Sequence, residues 1–462
     1  MKEILANTKS LCPICLQVVP AQRVQEGQDV FIEKTCPDHG EFKTITWRGE
    51  PSYQDWNVGV FAPGPKLRLT ETVNGCPNDC GICPEHKAQS CTILMEVTSR
   101  CNLQCPVCFA SSEDSPDAEP AIDEIRGMLE TVIETADVCP LQLSGGEPTL
   151  RDDLPDIISL AKQMGFPHVQ VNTHGLRLAK DIEYLERLRD AGVDLIYLQF
   201  DGVSDDVYLR IRGANLFDSK VRAIENCAQV KVGVQLVPTL IPGINDHQIG
   251  GIIQFACKYI PVIKGVHFQP VSYFGRYPVA PADKDRITTP DVLRVLEEQT
   301  GGEIKASNFL PRRRHDSHCG FSGFFVLDEE DKLVATTVFK PRQPSAADCN
   351  ETAGRVSEAN QPSEHVRKFI TEKSKYIEPN PELLEQQQKG TLKRFIQRAK
   401  THFLSISGMP FQDAWTVDLE RLQGCCIHVI TREKKLVPFC AHYITNADGE
   451  RLHGVRKPSF RK

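Results

Sequence analysis

The middle of the chain alternates between short apolar runs that read as strands and longer stretches with apolar residues at helical spacing. Leu94–Thr98 is strand-like, and Ala121–Ala136 places Ile125, Met128, Leu129 and Ile133 on one helical face. The unit repeats as strand Leu141–Leu143 with helix Leu154–Met164, and as strand Val169–Asn172 with helix Ile182–Ala191. Strand Leu195–Gln199 with helix Lys220–Cys227, and strand Val232–Val237 with helix Gln248–Tyr259, continue it. Val266–Gln269 is a sixth strand. Strands alternating with helices of this length imply right-handed crossovers and a parallel sheet. Six units make an α/β fold, an open or partial β/α barrel with its chemistry at the strands' C-terminal ends.

Polar stretches interrupt this pattern. Ala110–Pro120 reads as an acidic loop, and Pro341–Pro362 as a flexible linker or insertion. The tail Arg451–Lys462 carries five basic residues and no acid; it reads as a solvated arm, with contact to an anionic surface as the alternative.

The 462 residues are 40% hydrophobic and 25% charged, an ordinary globular composition. A net charge of −7 gives no electrostatic footprint for nucleic acid. Met1–Leu11 has no apolar segment of the secretory kind. In the longest apolar region, Ile249–Val266, Gln254, Lys258 and Lys264 break any membrane span. Eighteen cysteines in this length are too dilute for a disulfide scaffold. The expectation is a cytoplasmic, reducing setting with metal-bound thiolates.

Ten of the 18 cysteines precede residue 109. Cys101, Cys105 and Cys108, spaced C-x3-C-x2-C directly after the first strand, suit three irons of a [4Fe–4S] cubane and leave the fourth open. The competing readings are a zinc knuckle or a fully ligated ferredoxin-type cluster. Cys76, Cys80 and Cys83 repeat the spacing outside the β/α series, with Cys91 placed to be a fourth thiolate of an auxiliary [4Fe–4S] cluster. Zinc is the alternative there. Cys12, Cys15, Cys36 and His39 form C-x2-C…C-x2-H, which fits tetrahedral zinc in a Cys3His knuckle. A rubredoxin-like mononuclear iron fits instead if a distant cysteine, Cys91, is the fourth ligand. In the last third, Cys319, Cys425 and Cys440, joined by Cys349, Cys426 or a non-cysteine ligand, are candidates for a further cluster; buried free thiols are the alternative.

With the Cys101 triplet on the first strand and Gly145-Gly146-Glu147-Pro148 just after the second, Leu94–Ser272 resembles the radical S-adenosylmethionine (SAM) superfamily. The resemblance implies that Gly145, Gly146, Glu147 and Pro148 contact the SAM amino group, and that amine and carboxylate chelate the open iron. A reduced cluster then cleaves SAM to methionine and a 5′-deoxyadenosyl radical that takes hydrogen from substrate. Val107 stands where the family more often has an aromatic residue. Asn172, Asp201, Arg212, Thr239 and Gln269, at or just after strand ends, suit the same pocket.

KSLCPICLQVVPA, NGCPNDCGICPEHKAQSC, FQPVSYFGR and FQDAWTVDLERLQGCCIHV extend the resemblance to the tetraether lipid synthase branch, closest to the radical SAM (seleno)protein TrsS group. That branch implies two or three [4Fe–4S] clusters, a rubredoxin-like iron or zinc, and a reductant such as ferredoxin or flavodoxin. It divides the chain into an N-terminal rubredoxin- or zinc-ribbon-like domain (1–60), an auxiliary cluster segment (61–92), a radical SAM core (93–275) and a C-terminal Fe–S-binding domain (276–462). It implies C–C bond formation on a lipid, with at most peripheral membrane contact. Methyl transfer to a small heterocycle such as a pterin is the alternative, and a multi-cluster electron-transfer protein the non-enzymatic one. Archaeal synthases carry a cysteine near Gly408, which is absent here. A lipid substrate requires a long apolar tunnel or surface groove, whereas a pterin requires a compact polar pocket.

Overall fold

The structure is a computed structural model; it describes residues 1–59, 64–112, 119–312, 316–340, 375–379 and 391–453. Cys349, the linker, most of the acidic loop and most of the basic tail lie outside the described residues.

The chain begins with an antiparallel meander, β1 (Lys2–Leu11), β2 (Val18–Glu26), β3 (Asp29–Cys36) and β4 (Gly40–Trp47). The β2–β3 hairpin turns on Gly27–Gln28, where Gly27 takes the left-handed φ of 64° that such tight turns need. An up-down meander puts its first and third turns at the same end. Residues 12–17 and 37–39 are those turns, so Cys12, Cys15, Cys36 and His39 converge.

A short helix α1 (Tyr53–Trp56) leads into the β/α series. Its strands are β5 (Thr92–Thr98), β6 (Leu141–Gly145), β7 (Val169–Thr173), β8 (Leu195–Gln199), β9 (Gly233–Val237), the two-residue β10 (Thr239–Leu240) and β11 (Ile263–Pro270). The helices are α2 (Ile122–Ala136), α3 (Leu154–Gln163), α4 (Ile182–Asp190), α5 (Asp205–Arg212), α6 (Phe217–Gln229), α7 (Ile249–Lys258) and α8 (Thr289–Gln299). Alternate strand residues such as Met95, Leu143, Val171, Ile196, Leu236 and Val266 bury against these helices in one core. Each fully buried side chain of this kind contributes about 1.5–3 kcal/mol.

The C-terminal region adds to this sheet. It supplies β12 (Leu310–Pro311), β13 (Phe321–Leu327), β14 (Leu333–Ala335), β15 (Phe403–Gly408), β16 (Ile427–Ile430) and β17 (Leu436–Pro438). β15 pairs parallel to β11 and β16 parallel to β5, so both edges of the six-strand core are extended. The sheet is open, in the order β12-β13-β15-β11-β9-β8-β7-β6-β5-β16-β17. Pairing of this kind removes two exposed edges that would otherwise recruit other chains. The meander docks on the C-terminal region through buried Lys34, whose Nζ donates to Ser10 Oγ at 3.0 Å and to the carbonyls of Ala414 and Trp415 at 2.6 and 3.0 Å. Among the described residues no helix is long and apolar enough to cross a membrane.

Candidate functional site

The loop after β5 carries Cys101, Cys105 and Cys108 to the C-terminal edge of the sheet. Cys108 and Arg276 exchange backbone hydrogen bonds at 2.9 and 2.8 Å, and Arg276 Nε donates to the Cys105 carbonyl at 2.9 Å. Gly275 permits this approach: a Cβ there would lie 2.2 Å from the Phe109 carbonyl oxygen. Burial pushes the Cys101 thiol up to about 12 and raises Cys105, although Arg212 opposes the latter. Buried thiols of this kind need positive charge nearby, from a metal or a cationic side chain, to become thiolates.

The turn after β6 is equally tight. A Cβ on Gly145 would lie 2.0 Å from the Thr98 carbonyl oxygen, and one on Gly146 2.1 Å from that of Arg100. Glu147 is buried, and its carboxylate accepts from Thr149 N at 3.0 Å, Thr173 Oγ1 at 2.6 Å and His174 N at 2.8 Å. It therefore ties the β6 turn to the end of β7. His174 Nε2 lies 2.7 Å from Asn102 Oδ1 and so reaches the cysteine loop. Buried Lys220 donates to the His174 carbonyl at 2.6 Å and to Gln199 Oε1 at 3.0 Å; burial pushes its amine down to about 7.

These residues border a cavity of about 740 Å³. Its wall includes Cys101, Cys105, Cys108, Gly145, Gly146, Glu147, Asn172, Arg212, Thr239 and Gln269, so most of the strand-end residues singled out from the sequence meet there. Two of them do not: Pro148 and Asp201 are not on the wall. Asp201 is fully buried and acts one step back, accepting from Arg212 at 2.7 and 3.0 Å and from Thr239 N at 3.1 Å. Thr239 Oγ1 and the Val107 carbonyl accept from Arg212 at 3.3 and 3.4 Å, which sets the guanidinium beside Cys105.

Below the rim, the inward face of the sheet interleaves polar side chains with apolar ones such as Leu94, Leu195 and Phe403. Gln142, Gln170, Tyr197, Gln235, His267, Ser405 and Ser407 line the cavity, where barrel interiors are usually filled with Val, Ile and Leu. The sequence reading did not single these out, although alternation in VQVNT, LIYLQ and KGVHFQP points every second, polar residue inward. His267 Nδ1 lies 2.8 Å from Ser407 Oγ, and burial pushes the imidazole down to about 3, with Arg312 adding to the effect.

At the tip of the meander, the ligand atoms of Cys12, Cys15, Cys36 and His39 all lie within 4.8 Å of one another. That is the spread of a single ion, and its fourth donor is His39. The rubredoxin-like arrangement with Cys91 is thereby corrected: Cys91 N instead donates to the Cys426 carbonyl at 2.7 Å, far along the chain.

Cys76, Cys80 and Cys83 form a second thiol group. Cys76 and burial together raise the Cys80 thiol well above its ordinary value, and Cys83 and Cys425 add to it. Burial also raises Cys425 well above its ordinary value, with Cys440, Cys319 and Cys91 adding to it. Arg421 donates to Cys319 Sγ at 3.2 Å, and Gln412 N to Cys440 Sγ at 3.3 Å. Gly408 has no room for a cysteine, since a Cβ there would lie 2.4 Å from the Phe321 ring.

A parallel β/α sheet whose first strand delivers C-x3-C-x2-C beside a Gly-Gly-Glu turn defines the radical SAM class of enzyme. The radical SAM superfamily model matches residues 95–256, and the HMPTM N-terminal zinc ribbon domain matches residues 4–48. The 7,8-dihydro-6-hydroxymethylpterin dimethyltransferase of Methanocaldococcus jannaschii is 38% identical, over 94% of this chain and 93% of that protein. A probable GTP 3′,8-cyclase of Archaeoglobus fulgidus is 31% identical over 36% of this chain and 55% of its own length. Streptococcus suis SuiB bound to its precursor peptide SuiA superposes with a TM-score of 0.39 at 15% identity, covering 47% of this chain and 46% of that one. The chain belongs to the radical SAM superfamily, in one family with the M. jannaschii protein. It is a radical SAM enzyme with a [4Fe–4S] cluster and SAM as cofactors and a further zinc or iron site in its ribbon.

Proposed function

We propose that this enzyme methylates a reduced pterin or a closely similar small heterocycle. The observation that carries the reading is the set of polar side chains on the inward face of the sheet. An isoprenoid chain laid against Gln142, Gln170, Tyr197, Gln235 and His267 would strand their polar groups, at about 1–3 kcal/mol for each one left unpaired. A fused heterocycle rich in nitrogen and oxygen satisfies them. The cavity's 740 Å³ lies within the range of small-molecule sites. Apolar side chains line the same cavity, at the rim (Val107, Phe109, Phe274) and on the sheet (Leu94, Leu195, Phe403), and offer faces for a flat ring. The full-length pterin dimethyltransferase relative supports the same choice, and lipid coupling gives way to methyl transfer.

In this reading Cys101, Cys105 and Cys108 hold the catalytic cluster, and Gly145–Glu147 with Asn172, Arg212, Thr239 and Gln269 hold SAM. The reduced cluster and SAM, when bound, supply a 5′-deoxyadenosyl radical that removes hydrogen from carbon. Asp201 keeps the Arg212 guanidinium beside Cys105, where its charge favours thiolate. The tight Gly145–Gly146 turn brings backbone rather than side chain to the cavity wall. Cys76, Cys80 and Cys83 are assigned to one auxiliary cluster, and Cys319, Cys425 and Cys440 with Cys91 to another. Electrons enter from a small reductant protein.

Anaerobically reconstituted enzyme given dithionite and SAM should release 5′-deoxyadenosine, and release it faster with 6-hydroxymethyl-7,8-dihydropterin present. Cys105→Ala should abolish the product. Persistence of the product in that variant contradicts the cluster assignment, and indifference to the dihydropterin contradicts the substrate.

A further inference from the structure

Arg312 directly follows β12 and lines the cavity close to Tyr197 and His267, both of which feel its charge. Its Nε is shut off from solvent and has no hydrogen-bond partner. Among the described residues, Glu147 is the one carboxylate on the cavity wall, and its oxygens are already taken by Thr149, Thr173 and His174. A guanidinium on the wall with a buried, unpartnered Nε and no acid lining the cavity but the engaged Glu147 is suited to a ligand that accepts hydrogen bonds.

We infer that Arg312 is a specificity-determining residue that reads the acceptor edge of the substrate ring, a deduction that rests on the reduced-pterin reading above. The planar fork presents parallel N–H donors and matches two acceptors side by side on a rigid ring. In a 7,8-dihydropterin the carbonyl oxygen at position 4 and the imine nitrogen at position 5 make such a pair. They are disposed like O6 and N7 of guanine, which arginine reads with two hydrogen bonds. The neighbouring rings of Tyr197 and His267, 5.8 Å apart and inclined by 45°, wall the same end of the cavity. Ser407 fixes the His267 imidazole at 2.8 Å, so this wall is preorganised. Cys319 also feels the charge of Arg312, and a role confined to that side would be blind to the identity of the ring edge.

The test is equilibrium binding of 6-hydroxymethyl-7,8-dihydropterin, and of its 5-deaza analogue, to the reconstituted full-length enzyme with SAM. Wild type should bind the pterin and lose affinity for the deaza compound. Arg312→Met should bind the pterin roughly ten- to a hundredfold more weakly and no longer distinguish the two ligands. Arg312→Lys, which keeps the charge but not the fork, should recover part of the affinity and little of the discrimination. Melting temperature and metal content of each variant establish that it is folded. Equal pterin affinity in wild type and Arg312→Met, or discrimination surviving in that variant, overturns the assignment of Arg312 while leaving the substrate reading in place. Absence of pterin binding to wild type overturns both.

Discussion

Gly146 has no space for even a methyl group, because the Arg100 and Ser99 carbonyl oxygens would lie 2.1 and 2.8 Å from it. Gly146→Ala must push the β6 turn away from the cysteine loop, and such overpacking costs about 1–3 kcal/mol. The variant should fold with a lower melting temperature and bind SAM at least tenfold more weakly, measured by calorimetry. Buried His267 makes a prediction about pH. Its folded value of about 3 lies below the unfolded value near 6.5, so its contribution to stability is complete above pH 6.5 and falls as acid protonates the unfolded chain. His267→Gln should therefore flatten the loss of stability below pH 6.5, by an amount that approaches about 1.4 kcal/mol per pH unit towards pH 5, read from denaturant unfolding at each pH. At this scale the sequence was informative where chemistry dictates spacing, as in the Cys101–Cys108 triplet and the Gly145–Pro148 turn. Asp201 stands one step back from the cavity because a polar strand end can face it or, as here, hold an arginine that lines it. Gln142, Gln170 and Gln235 were overlooked because a glutamine at alternating spacing in a strand ordinarily marks the solvent side.

The β/α elements were legible because each is encoded by local periodicity, and the observed strands and helices fall where that periodicity places them. β15 and β16 were not. Each is short, and each joins the central sheet by pairing with β11 or β5, partners well over a hundred residues away. Their pairing leaves a specific trace in Gly265, where a Cβ would lie 2.1 Å from Ser405 Oγ and 2.4 Å from the Ser405 carbonyl oxygen. Gly265→Ala should pry β15 from β11 and lower the unfolding free energy by about 1–3 kcal/mol in a denaturant titration. Wild-type stability in that variant would mean that the β11–β15 pairing is not as close as described. The meander was likewise hidden by its polar outer face, yet its metal ligands were evident because cysteine spacing survives without knowledge of the strands.

Taken whole, the molecule places one Cys3His group on the four-stranded meander and the Cys101–Cys108 loop at the edge of the larger sheet. Three cubanes require about twelve irons per chain and two require about eight, at four irons each. The assignment of Cys91, Cys319, Cys425 and Cys440 predicts the higher count, and Cys319→Ala should lower it by about four, by metal and sulfide analysis. A count near eight in wild type would remove that cluster. The central claim is that the polar floor of the cavity accepts a reduced pterin for methylation. It is tested most directly by mass spectrometry of 6-hydroxymethyl-7,8-dihydropterin after anaerobic turnover with SAM, a reductant and a methyl donor. The account predicts a pterin heavier by one or more methylene units, formed by wild type and not by Cys105→Ala. Recovery of the pterin unchanged while SAM is consumed would contradict it.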